Sequence, residues 1–150
     1  MSSASLHSRV RGVRQPFHPL IAPVASACFA GALLTDIAYW RSAEMMWADF
    51  SAWLVSAGVI VGYVAAIIGL IELMSRRVLR PGGSVWPYLI GNAVALILAT
   101  INMLVHTRDA WTSVVPWGLA LSAAVTAILL ITGLMGWSMI LHPDVGGTAR

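Results

Sequence analysis

Four long apolar stretches set the pattern of this chain, and almost every charge falls between them. Residues 15–35, 50–71, 81–107 and 110–143 contain no Asp, Glu, Lys or Arg, and each run is at least 21 residues long. A helix needs about 20 mostly apolar residues to cross the hydrocarbon of a bilayer. The runs predict four transmembrane helices, at about 19–41, 52–75, 85–106 and 116–141. Pro19 suits the first turn of helix 1, where a missing N–H costs nothing. Helix 2 starts from about Asp49 or Ala52, after the segment "RSAEMMWADFS". The basic segment "RRVLRPGGSV" breaks the chain after helix 2, "TRDAWTS" makes a short turn after helix 3, and Pro143 with Gly146 and Gly147 stops helix 4. Short connections make successive helices antiparallel neighbours. The expected fold is therefore an all-α integral membrane protein, an up-down four-helix bundle at 16–143 between tails at 1–15 and 144–150.

Composition agrees. Hydrophobic residues make up 59% of the 150 and charged residues 10%, where soluble domains carry about 25% charged. The mean hydropathy is +0.82. All nine basic residues are Arg. Seven of them (Arg9, Arg11, Arg14, Arg76, Arg77, Arg80 and Arg150) lie on the side of the two tails and the loop after helix 2, against Arg41 and Arg108 on the other. By the positive-inside rule both termini are expected in the cytoplasm. The same placement explains the pI of 9.8 by topology and gives no reason to expect a nucleic-acid partner. Trp40, Trp47, Trp53, Trp111 and Trp117 are expected near the outer interface, and Trp86 and Trp137 near the inner one. "ASA" at 25–27 resembles a signal-processing site, but the apolar run continues to Trp40, so a retained helix is expected. The lone Cys28 has no partner for an internal disulfide.

Helix 2 carries Gly58, Gly62 and Gly69, small residues that let helix backbones approach in lipid. Gly58 and Gly62 form a GxxxG, read as packing within the bundle or as a face for a partner. Ionisable groups inside a span are costly and normally face the interior. Asp36 lies five residues before Arg41, about 7 Å inside helix 1, and Arg108 at the same level of helix 3 is its expected buried partner. Glu72 precedes Arg76 by four residues, a favourable order for a helical ion pair. Asn92 and Asn102 are read as interhelical hydrogen-bonding groups, and His106 as the end of helix 3. His18 in "PFHPLIAP" and His142 in "LHPDVGG" share a depth with Glu72 on the inner side. Two imidazoles and a carboxylate suit a divalent metal, and two facing imidazoles suit a b-type haem. Polar caps at helix ends are the other reading. No GxSxG, Walker loop, HExxH, CxxC or GxGxxG occurs in the chain, and no catalytic residues are assigned.

The segments "FHPLIAPVASACFAGALLTDIAYW", "WLVSAGVIVGYVAAIIGLIEL", "GNAVALILATINMLVHTR" and "GLMGWSMILHPDVGG" occur in this order over 16–147. Together they resemble the bacterial membrane family designated domain of unknown function 2231. The resemblance implies four transmembrane helices in the inner membrane and histidines gathered at one membrane face. His18 matches the family's opening His-Pro, Asp36 the acid of the first span, and His142 the closing His. Some relatives are joined to redox modules, which implies a redox-associated membrane subunit with haem or metal near the cytoplasmic face. The alternative is a structural or accessory subunit without a cofactor. The expected partners are the lipid bilayer and either further copies of the chain or a redox protein.

Overall fold

The computed structural model of the chain describes residues 18–75, 86–108 and 114–141. Four helices are long and apolar enough to cross a membrane. They are α1 (His18–Ser42), α2 (Met45–Met74), α3 (Trp86–His106) and α4 (Leu119–Leu141), the last preceded by a π-helical turn at Val114–Gly118. Each helix packs on the next in the chain or closes the ring, α1 on α2, α2 on α3, α3 on α4 and α4 on α1. The contacts fix the directions. Ser51 near the start of α2 and Ser122 near the start of α4 both meet Asp36 near the end of α1. Gly91 near the start of α3 meets Thr132 late in α4. Successive helices therefore run antiparallel, in an up-down bundle.

Two of the helices begin differently from the reading of the hydrophobic runs. The α1–α2 connection is only Ala43 and Glu44, and α2 starts at Met45. Its extra turns carry Trp47 and Ala48, which pack with Tyr39 and Val114 in an apolar layer at this end of the bundle. Glu44 and Asp49 stay exposed. That burial outweighs a tight turn in which Ala43 takes φ 54°, a left-handed conformation costing about 1–2 kcal/mol for a residue with a Cβ. At 30 residues α2 is about 45 Å long, so its charged first turns extend beyond the hydrocarbon. Before α4, Val115 is extended at φ −119° and ψ 128°, the region forced on a residue that precedes proline. The regular helix then starts at Leu119, and the turn before it buries Val114 completely.

Below the polar level the core is small and dense. Ala25, Phe29, Ala32, Val55, Val59, Ala99 and Val125 form its main layer. Phe29 lies against Gly58, where a built Cβ would sit 2.7 Å from the ring. Gly62 faces the end of the Leu96 side chain, a group with more freedom to move. Outward-facing positions are large and apolar, including Leu34, Ile60, Ile67, Ile97, Leu130 and Leu134, as a lipid-facing surface requires. Trp40, Trp53 and Trp117 are exposed towards one end and Trp86 and Trp137 towards the other, the two interfacial belts.

Glycine substitutions should separate packing from propensity. Gly58→Ala should destabilise the protein by about 1–3 kcal/mol, because the buried Phe29 ring cannot yield without overpacking its neighbours. Gly133, with nothing within 4 Å of a built Cβ, should accept Ala and gain up to about 1 kcal/mol of helix propensity. Unfolding of the purified variants in detergent measures both.

Candidate functional site

The buried positions of each helix recur at steps of three and four, the period that keeps one face turned inward. On α1 they are Ala25, Phe29, Ala32, Asp36 and Tyr39, and on α3 Ala95, Ala99, Asn102 and His106. On α2 they include Ala48, Ser51 and Val55, and on α4 Ser122 and Val125. Along these inward stripes Asp36, Ser51, Asn102, His106 and Ser122 are polar and occupy one level, and Thr132 is a further buried polar residue late in α4. Asp36 and Ser51 are 0% exposed, Asn102 and Ser122 2%, and His106 8%.

The carboxylate of Asp36 is the centre of this level. Its Oδ1 accepts a hydrogen bond from the Ser51 hydroxyl and lies 3.0 Å from His106 Nε2. Its Oδ2 accepts from Ser122 Oγ at 2.5 Å. Ser122 Oγ in turn accepts from Asn102 Nδ2 at 2.8 Å. All four helices thus reach one carboxylate, directly or through one hydroxyl. Most other described span hydroxyls behave differently, although Thr126 Oγ1 lies 3.5 Å from the Phe29 carbonyl oxygen of α1. Ser26, Thr35, Ser56, Thr100 and Thr132 bond to carbonyls of their own helices three or four residues back, the local way to satisfy a hydroxyl in lipid. Ser51 and Ser122 reach across to Asp36.

Hydrogen-bond bookkeeping fixes the protons. His106 Nδ1 lies 3.0 Å from the Asn102 carbonyl oxygen, which can only accept, so Nδ1 carries a proton. Nε2 faces Asp36 Oδ1 at 3.0 Å, so a second proton lies between them. Whether written as imidazolium and carboxylate or as neutral imidazole and acid, the pair carries no net charge. That suits a site sealed by apolar side chains, Tyr39, Ala48 and Val114 on one side and the Phe29 layer on the other.

Ser, His and Asp meet here, but not as a nucleophilic triad. In a triad the serine and the acid engage opposite nitrogens of the imidazole. Here Ser51, at 3.1 Å, and Asp36 both face Nε2, and the Ser51 hydroxyl is fully buried.

Arg108, expected beside Asp36, is exposed, and the carboxylate is held by His106 and the two serines instead. Arg108 lies in the bend beyond the last residue of α3, and its side chain is exposed. Level alone had suggested the pairing. The phase of Asn102 and His106 with Ala95 and Ala99 was the available signal for the pair that the structure brings to Asp36.

Among the described residues the opposite end of the bundle is open. A cavity of about 590 Å³ lies between the helices there, lined by Ser26, Gly62, Gly69, Glu72, Trp86, Tyr88, Asn92 and apolar neighbours. Asn92 Nδ2 donates to the Tyr88 carbonyl at 2.8 Å. His18 is the first residue of α1, at this end, but its side chain and the whole of His142 lie outside the described residues, as do the two tails and Arg76. Among the described residues no three His, Cys, Asp or Glu side chains come together in a way that could hold a metal ion.

A bundle of four spans with a polar centre closed inside it and a cavity between its helices defines a multi-pass helical membrane protein. Residues 14–149 match the family described as "Predicted membrane protein (DUF2231)", and the chain belongs to that family. Neither the curated proteins nor the solved structures contain a match.

If the cluster holds the bundle together, removing its centre is costly. Asp36→Ala should destabilise the protein by about 3 kcal/mol, the order found when one partner of a buried pair is deleted. Arg108→Ala should change stability by less than about 0.5 kcal/mol, as exposed substitutions do. Parallel unfolding curves in detergent compare the two.

Proposed function

We propose that this protein is a ligand-binding subunit of the bacterial inner membrane, with both termini in the cytoplasm and a role beside redox proteins. The observation that carries this reading is the cavity at the Glu72 end. Its volume of about 590 Å³ falls within the range of small-molecule and cofactor sites, about 300–1,000 Å³. Its lining is mostly apolar, with a few polar groups from Ser26, Glu72, Tyr88 and Asn92, the composition that seats a flat hydrophobic ligand and orients its polar edge. α1 begins at His18 and α4 ends at Leu141, next to His142, at this same end. In this reading His18 and His142 hold a haem b or a divalent metal, with Glu72 as a further ligand or as the acceptor that orients an imidazole. A bound haem would supply one-electron transfer. The chain itself would exclude water, with Trp86 at the interface and Leu70, Leu73 and Leu89 along the wall.

The competing reading is an accessory subunit that binds a partner protein through Gly58, Gly62 and Gly69. Gly58 and Gly62 already contact Phe29 and Leu96 of the same chain, so the cavity reading is preferred.

The protein purified in mild detergent should show a haem absorption spectrum or a stoichiometric metal content. His18→Ala and His142→Ala should each lose at least about tenfold in occupancy. A colourless, metal-free protein that remains folded and keeps a co-purifying partner would favour the accessory subunit.

A further inference from the structure

The polar centre at the other end of the bundle has one irregularity. Asn102 Oδ1 is buried with no hydrogen-bond partner, alone in this among the side-chain atoms of the described residues. An orphaned buried acceptor costs about 1–3 kcal/mol, and a purely structural lock has no use for one.

We propose that the cluster is a proton-binding site in the membrane: Asp36 takes up the proton on Oδ2, and rotation of the Asn102 amide gives the Ser122 hydroxyl the acceptor it needs in the protonated form. The argument follows the direction of the donors. As it stands, Asn102 Nδ2 donates to Ser122 Oγ, and Ser122 donates to Asp36 Oδ2. This direction requires Oδ2 to be an acceptor. With a proton on Oδ2 the chain must run the other way. Asp36 then donates to Ser122, and the Ser122 hydroxyl turns to donate towards Asn102. An amide supplies what each direction needs, because a half-turn about its last bond exchanges a donor for an acceptor at nearly the same point. The half of the amide facing away from Ser122 has no partner in either orientation, so the turn breaks no other bond. A second partner would have pinned it.

The rest of the cluster tolerates the change. Oδ1 keeps the Ser51 hydroxyl and His106 Nε2 as donors, since the second oxygen of a protonated carboxyl still accepts. Ser51 Oγ also lies 3.4 Å from the Ala32 carbonyl oxygen, a second place for its proton. The uptake step forms an O–H bond at Oδ2 at the expense of hydronium from the aqueous face, which becomes water. With the pair in its imidazolium–carboxylate form, His106 keeps both its protons and the cluster goes from neutral to a single positive charge. His106 is the last residue of α3, and Thr107 and Arg108 beyond it are exposed, which puts water within about one helical turn. Among the described residues His106 is the one ionisable group against Asp36. Tyr39 lies in the neighbouring apolar layer, Arg41, Asp49 and Arg108 are exposed, and α2 and α4 contribute the hydroxyls Ser51 and Ser122. Because all four helices hold this carboxylate, its protonation weakens the tie at one end of the bundle. The site is independent of the cavity reading.

The test is infrared difference spectroscopy of the full chain in lipid nanodiscs, titrated from about pH 9 to about pH 3, a span that brackets ordinary His and Asp values. A carboxylic-acid band should appear on acidification, in step with a change in a side-chain amide band. ¹³C-aspartate in the unmodified protein should move the acid band, which assigns it without a variant. Asp36→Asn should remove both signals. Asn102→Leu should remove the amide change and shift the carboxyl midpoint by at least about one pH unit, a tenfold change in proton affinity. Arg41→Gln, at an exposed residue outside both sites, should leave all of this unaltered. A folded chain whose spectrum is the same with and without Asp36 would overturn the proposal, and so would an acid band that titrates with no amide change and an unshifted midpoint in Asn102→Leu.

Discussion

An ionisable carboxyl group inside a bilayer has to be hydrogen-bonded by its own protein, and in this chain that constraint organises the fold. Asp36 takes a hydroxyl from α2, a hydroxyl from α4 and an imidazole from α3. Hydrocarbon offers these groups no water, and the low dielectric that makes an unpaired charge costly also strengthens the contacts of a paired one. Lipid provides little hydrophobic drive for helices to associate. A carboxylate that needs donors from three other helices supplies direction and register together, since sliding any one helix by a residue turns its donor away.

The apolar residues follow from that register. With Asp36 level with Ser51, Phe29 falls two turns deeper on α1 and rests on Gly58 of α2. The α1–α2 turn is then short enough to force Ala43 into the left-handed region. Above the cluster, Tyr39, Ala48 and Val114 close the end of the bundle. Below the Phe29 layer, small residues and the open cavity replace tight packing. Among the described residues the bundle is closed around Asp36 at one end and has a cavity between its helices at the other. Asp36 and Ala25, which lines the cavity, are 11 residues apart in α1, about 16 Å.

Much of this was legible in the chain. Stretches without charges mark the spans, because a charge in hydrocarbon costs several kcal/mol, and the same cost singled out Asp36. Its partners were harder to read. Arg108 was paired with it by depth, whereas the inward phase belongs to Asn102 and His106. His106 was read only as a helix end, although it continues the Ala95, Ala99, Asn102 stripe. Ser51 and Ser122 are ordinary span hydroxyls by type, and only tertiary contact distinguishes them from Thr35 or Ser56, which bond to their own helix. The early start of α2 was hidden because Glu44 and Asp49 resemble a loop, while between them Ala48 is buried and Trp47 half-buried against Tyr39 and Val114. The His-Pro motifs of His18 and His142 rest on sequence and on the place where α1 begins and α4 ends.

The account depends most directly on Asp36 being held by His106. A double-mutant cycle measures this, using Asp36→Asn, His106→Gln and the pair, with unfolding free energies in the same detergent. A second cycle replaces His106 by Arg108→Gln. Side chains that touch couple by about 0.5–3 kcal/mol, and separated ones by less than about 0.5 kcal/mol. The account predicts coupling above about 1 kcal/mol for Asp36 with His106 and none for Asp36 with Arg108. Additive effects of Asp36 and His106, or coupling of Asp36 to Arg108, would contradict it.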